Sequence, residues 1–185
     1  MGVRIHDVFL ATALTLGVAT PVLANWQSIA SSPDIDRLVQ LPQTRARAME
    51  DARTGEGRAI PANAMIGNWR CRQFKLGGMS AYMVYDQWFN CRIRPHNGGL
   101  VFEKLNGSQR MGGFLYPEKG AWVYLGSSAV RGERIDPYSG RTPSIGAAVT
   151  PDDQIGLLTG IGNNHLRLEI PAVQESLLDV EELVR

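Results

Sequence analysis

The residue types best suited to chemistry gather around two cysteines. Residues 68–110 hold seven cations (Arg70, Arg72, Lys75, Arg92, Arg94, Lys104 and Arg110) against the acids Asp86 and Glu103, a net charge of +5. Guanidinium groups present planar forks of donors that match carboxylates and phosphates, so such a cluster is suited to an anion. Six residues form the candidate anion or partner surface: Arg70, Arg72, Arg92, Lys104, Gln109 and Arg110. Residues 152–185 carry the opposite charge, a net −5. Two readings follow. The acidic tail neutralises the basic strands within the fold, or the cations are left for an acidic partner.

Catalytic patterns are scarce. His96 and His165 are the histidines beyond the N-terminal segment, and no His-Glu-x-x-His or clustered Cys/His set accompanies them, so neither metal nor cofactor is expected. No Gly-x-Ser-x-Gly elbow occurs. The glycine-rich run from Gly156 to Gly162 lacks the Gly-Lys-Ser/Thr ending of a phosphate loop. Asp152 and Asp153 are adjacent, and adjacent strand residues point apart. Catalysis is therefore not expected. The weakest alternative is a hydrolase built on Ser108 with Lys104 and Arg110.

The whole chain has 185 residues, a net charge of +1 and 44% apolar residues. That balance excludes a general nucleic-acid binder, which needs a strongly basic domain. It also excludes a disordered polyelectrolyte. Residues 1–24 read as a secretory signal, with Arg4, an apolar run over 8–18, and small residues before a cleavage point after Ala24. The expected location is the periplasm or the extracellular medium. In an oxidising compartment Cys71 and Cys91 are expected to pair, closing a loop worth about 3 kcal/mol of chain entropy.

Residues 25–63 read as a helical N-terminal segment with a helix start at Ser32-Pro33-Asp34. From residue 64 onward, short β-branched and aromatic runs alternate with glycine turns. Strands are expected near 66–76, 83–93, 99–105, 109–116, 122–128, 145–150, 155–160 and 165–170. Asn106-Gly107 carries the signature of a type I′ hairpin. Residues 174–184 place Leu177, Val180, Leu183 and Val184 at helical spacing and predict a C-terminal helix. The fold class is mainly β with helical additions: a small antiparallel eight-stranded barrel or strongly twisted meander over 64–185.

If Cys71 lies directly across from Cys91, the turn centres on Ala81 and Arg70 faces Arg92. Trp69, Cys71, Phe89, Cys91 and Ile93 then share the core face, since strand side chains alternate. Trp69, Tyr85, Phe89 and Trp122 are the candidates to line the barrel.

Gly67-Asn68-Trp69-Arg70-Cys71-Arg72, Lys75-Leu76-Gly77-Gly78 and Trp88-Phe89-x-Cys91-Arg92-Ile93 resemble an exported alphaproteobacterial family, domain of unknown function 4893. So do the run 102–110, Leu115-Tyr116-Pro117 and Glu175-Ser176-x-Leu178-Asp179-Val180-x-Glu182-Leu183. The resemblance implies a bacterial envelope protein without an assigned activity. Gly67-x-Trp69 after a short helical lead-in also looks like the opening of a lipocalin-type barrel, whose tryptophan closes one end. Serralysin-inhibitor-type proteins share a small barrel with one disulfide but insert a mobile N-terminal arm, for which residues 25–32 are the counterpart here. The expected function is a non-enzymatic barrel binding a small ligand or an envelope partner, with protease inhibition as the alternative.

Overall fold

The computed structural model describes residues 25–48, 57–80, 82–140, 152–171 and 175–185. The expected signal segment and the expected strand at 145–150 lie outside these residues. Among the described residues nine antiparallel strands run in sequence: β1 (Gly67–Leu76), β2 (Tyr82–Val84), β3 (Phe89–His96), β4 (Gly99–Lys104), β5 (Gln109–Glu118), β6 (Ala121–Val130), β7 (Asp153–Gly162), β8 (His165–Pro171) and β9 (Leu178–Val184). Each of β3 to β8 pairs with the next, and β9 returns to pair with β1 from Arg70↔Val184 to Leu76↔Leu178. Eight strands thus close a barrel, and β2 extends the β3 side of β1 as a ninth.

The C-terminal helix expected at 174–184 is instead the strand that closes the barrel. Its alternation is the reverse of the usual one, with the polar side chains inside the barrel and the apolar ones outside under the helices. Asp179, Glu181 and Leu183 point inward, while Leu178 and Val180 pack outward against Leu41 and Leu76. The alternation runs from Leu178 to Glu181 and reverses at Glu182-Leu183, which leaves Leu177, Val180, Leu183 and Val184 at helical spacing. The expected single strand at 83–93 is likewise two, β2 and β3, separated by residues 85–88.

The Cys71–Cys91 disulfide forms, with a Cα–Cα distance of 5.8 Å. Its cysteines are not directly opposed: Cys71 faces Phe89 and Trp69 faces Cys91. This two-residue offset keeps every side chain on its expected face. It also corrects the Arg70–Arg92 pairing, because Arg70 faces Asn90 and Arg92 faces Asn68, which removes a destabilising like-charge pair. The type I′ signature belongs to Asn97-Gly98, where both residues have positive φ, 48° and 80°. At Asn106-Gly107 only the glycine does, and the Asn106 side chain accepts a hydrogen bond from the Asn90 amide at 2.7 Å.

The N-terminal helices cover part of the outer wall. Ser31 caps α1 (Ser32–Val39), accepting from the Asp34 amide, and Pro33 sits in the first turn, where its missing N–H costs nothing. A short α2 (Leu41–Ala48) follows, and α3 (Ala62–Met65) leads into β1. Ile29, Ile35 and Leu38 pack on Val123, Leu125 and Ile155. Arg45 of α2 forms a bidentate pair with the buried Glu169 of β8, at 2.6 and 2.5 Å. These contacts make the outer face of β6–β9 an interior surface.

Candidate functional site

Inside the barrel the side chains divide by chemistry along the axis. One half is apolar and filled: Met65, Trp69, Ile93, Leu166 and Leu183 are all buried, with Trp122 packed against them. Trp69 closes this end, donating from Nε1 to the Met65 carbonyl at 2.8 Å. The Arg185 guanidinium lies 3.9 Å above the Trp69 ring and donates to the carbonyls of Met65 and Ile66. Cation and ring attract through the ring quadrupole, so Arg185 fastens the plug. Trp122 Nε1 donates to the Ile60 carbonyl at 2.9 Å, joining the α3 lead-in to the same end.

The other half is charged. The inward positions of β1, β4 and β9 beyond the disulfide are Gln73 and Lys75, Lys104, and Asp179 and Glu181, and all five are buried. Lys104 Nζ donates to Glu181 Oε1 at 2.6 Å and reaches Gln73 Oε1 at 3.5 Å. Asp179 accepts from the Ser176 hydroxyl at 2.5 Å and from Gln73 Nε2 at 3.4 Å. Burial pushes the Glu181 carboxyl up from its ordinary range, and Asp179 beside it adds to the shift against the opposing pull of Lys104. Burial raises Asp179 as well.

A cavity of about 160 Å³ opens onto this group, and Gln109, Arg110 and Gln154 sit on its wall. That is smaller than the roughly 300–1,000 Å³ of drug-sized sites. Two buried atoms beside the pair lack a partner among the described residues: Glu181 Oε2 and the Tyr124 hydroxyl. Gln154 Oε1, on the cavity wall, also lacks one. Tyr124 stands in the barrel centre, edge-on to Phe102 with ring centroids 6.0 Å apart. Its hydroxyl fits because Gly126 has no side chain, since a Cβ there would overlap the oxygen. Burial and the Glu181 charge push the Tyr124 phenol upward, so it stays protonated.

A family model described as a domain of unknown function, DUF4893, matches residues 26–183. The chain belongs to the DUF4893 family. No curated protein matches it. A redesigned β-barrel of known structure is similar at 12% identity with a TM-score of 0.41, over 71% of this chain and 98% of that one.

In this DUF4893 chain the six basic-surface candidates separate into two groups. Lys104, Gln109 and Arg110 border the charged cavity. Arg70, Arg72 and Arg92 lie on the outer wall. There the guanidiniums of Arg70 and Arg72 stack on Trp88 at 4.9 and 4.8 Å, Arg72 pairs with Glu182 at 2.5 Å, and Arg92 shares Glu103 with Arg94. The acidic tail neutralises basic strands from within the sheet, through Arg72–Glu182, Lys75–Glu175 and Lys104–Glu181. Of the four lining candidates, Trp69 and Trp122 fill the apolar end and Phe89 packs on the same core. Tyr85 is half-buried in the segment between β2 and β3. Ser108 is exposed, while Lys104 is committed to Glu181. Residues 25–32 are docked, with Trp26 buried and its Nε1 donating to Glu118 at 2.6 Å. Among the described residues no group of three His, Cys, Asp or Glu is arranged to hold a metal, and no helix is long and apolar enough to cross a membrane.

The sequence reading missed Gln73, Tyr124, Gln154, Asp179 and Glu181. One signal was available: read as a strand, the tail places Asp179, Glu181 and Leu183 on one face.

Proposed function

We propose that this DUF4893 protein is an exported, non-catalytic barrel that binds a small polar ligand in the charged half of its interior. One observation carries the reading: the Lys104–Glu181 pair is buried inside the barrel next to a cavity, and the second Glu181 carboxylate oxygen has no partner among the described residues. An interior kept for stability alone would be apolar, because exchanging a buried ion pair for apolar residues of similar volume is often neutral or stabilising. The filled apolar half acts as the floor and keeps the charged half rigid. Catalysis finds little support, since Ser108 is exposed and the nearby Lys104 and Arg110 already have acceptors. Trp69 closing one end supports the lipocalin-type reading of the barrel. Residues 1–24 and their secretory pattern support export.

Native mass spectrometry of the protein recovered gently from cells tests the reading. A small-molecule adduct is expected, and it should disappear when Lys104 and Glu181 are replaced together by Met and Leu. A single ligand-free mass from every preparation contradicts it.

A further inference from the structure

The charges around the cavity narrow the ligand class. Six carboxylates and four cationic side chains line it, a formal excess of two negative charges. All four cations already have an acceptor: Lys104 pairs with Glu181, Lys75 with Glu175, Arg37 with Asp34, and Arg110 donates to the Glu133 carbonyl. An incoming anion would face surplus carboxylates and would have to compete for cations of which three are already in ion pairs. Unmet hydrogen-bonding capacity remains on both sides: Arg37 Nε and Arg110 Nε lack an acceptor among the described residues, while the charged acceptor left without a donor is Glu181 Oε2. Glu181 is fully buried, yet among the described residues its Oε2 has no donor, and neither has Gln154 Oε1, which also lines the cavity. A buried acceptor without a donor costs about 1–3 kcal/mol, and more when charged. A ligand that brings donors and positive charge removes that cost.

We infer that the cavity takes a small organic cation carrying a primary ammonium group, which donates to Glu181 Oε2 and Gln154 Oε1. The inference rests on the ligand-binding reading above and adds the chemical class. An ammonium has three donors and no acceptor, which suits a wall offering free acceptors. The Tyr124 hydroxyl, buried and itself without a partner among the described residues, lies within the field of the Glu181 carboxylate. The modest volume favours a short aliphatic amine over an aromatic one. The raised Glu181 and Asp179 carboxyls support the same direction, because a bound cation stabilises both in their ionised forms.

Isothermal titration of the protein with 1,4-diammoniobutane, ethylammonium, acetate, inorganic phosphate and glucose tests the class. Saturable binding of the ammonium probes is expected. It should weaken about tenfold or more in Glu181→Gln, as expected for loss of a charge-assisted hydrogen bond. Gln154→Leu, which leaves the ion pair intact, should weaken it as well. Binding of acetate, phosphate or glucose without the ammonium probes overturns the cation class and leaves the ligand-binding reading standing. No binding by any probe overturns the inference, and together with a ligand-free native mass it overturns both. Ammonium binding unchanged in both variants overturns the assignment to this cavity.

Discussion

Lys104 Nζ and Glu181 Oε1 lie 2.6 Å apart within the barrel, with side-chain exposures of 3% and 0%. Two charges at that depth pay a desolvation cost that their attraction only partly returns. Removing one partner leaves the other buried and alone. Lys104→Met is therefore expected to lower unfolding free energy by about 3–5 kcal/mol. The double variant Lys104→Met/Glu181→Leu should recover most of that loss or exceed wild-type stability. Urea unfolding of the three proteins measures the difference. A double variant as unstable as the single one would show that the pair is structural.

Stability should also fall as pH rises above the ordinary carboxylate range. Burial raises Asp179 and Glu181 from the usual 3.8 and 4.5, so between those values and the raised ones the folded state binds more protons than the unfolded state. Unfolding free energy then decreases with rising pH across that window. Lys104, Lys75, Glu175 and Tyr124 are the charged or titratable groups acting on these carboxyls from neighbouring elements. Glu103 acts in the opposite sense. Hydrogen bonds from Arg94 and then Arg92 lower it, so its contribution is present above the ordinary range and is lost on acidification through the lowered value. Thermal melting across pH 3–8 in wild type and Asp179→Asn separates the two, and the variant should show the shallower decline on the alkaline side.

Tyr124→Phe is expected to leave the ligand-free protein as stable as wild type or up to about 1–2 kcal/mol more stable. It deletes a buried hydroxyl that has no partner among the described residues, and a buried unsatisfied group costs about that much. The ring keeps its packing on Phe102. A marked loss of stability in denaturant titration would mean that the hydroxyl is satisfied.

Truncating Arg185 to Ala should cost about 1–2 kcal/mol, through loss of the stacking on Trp69 and of two carbonyl contacts. Trp69→Ala should cost about 3–5 kcal/mol, the usual range for emptying a filled aromatic site. Chemical denaturation checks both. Because these residues lie at the apolar end, ammonium binding at the other end should be retained in Arg185→Ala.

Much of the barrel was legible in the sequence, since β1 and β3 alternate and the cysteines fix their shared face. The two-residue offset between Cys71 and Cys91 was not legible, because an offset of that size leaves the same residues facing inward. The tail was misread for a physical reason. Leu178, Asp179, Val180 and Glu181 do alternate, but the polar side faces the barrel interior and the pattern reverses at Glu182-Leu183, so the helical spacing of Leu177, Val180, Leu183 and Val184 competed with it. The site was lost with it, because the acids that define it lie on that strand. Lys104 was singled out as a surface cation when it is an interior one. Nothing in its immediate sequence marks the difference, since its partner lies 77 residues away.

The claim that the charged half of the barrel interior is a ligand site is tested most directly by chemical-shift mapping. Isotope-labelled protein titrated with 1,4-diammoniobutane should show saturable shifts at Gln73, Lys104, Gln154 and Glu181. Resonances of Trp69, Ile93 and Leu183 at the filled end should stay in place. Shifts confined to the outer wall, or none at saturating amine, would contradict the account.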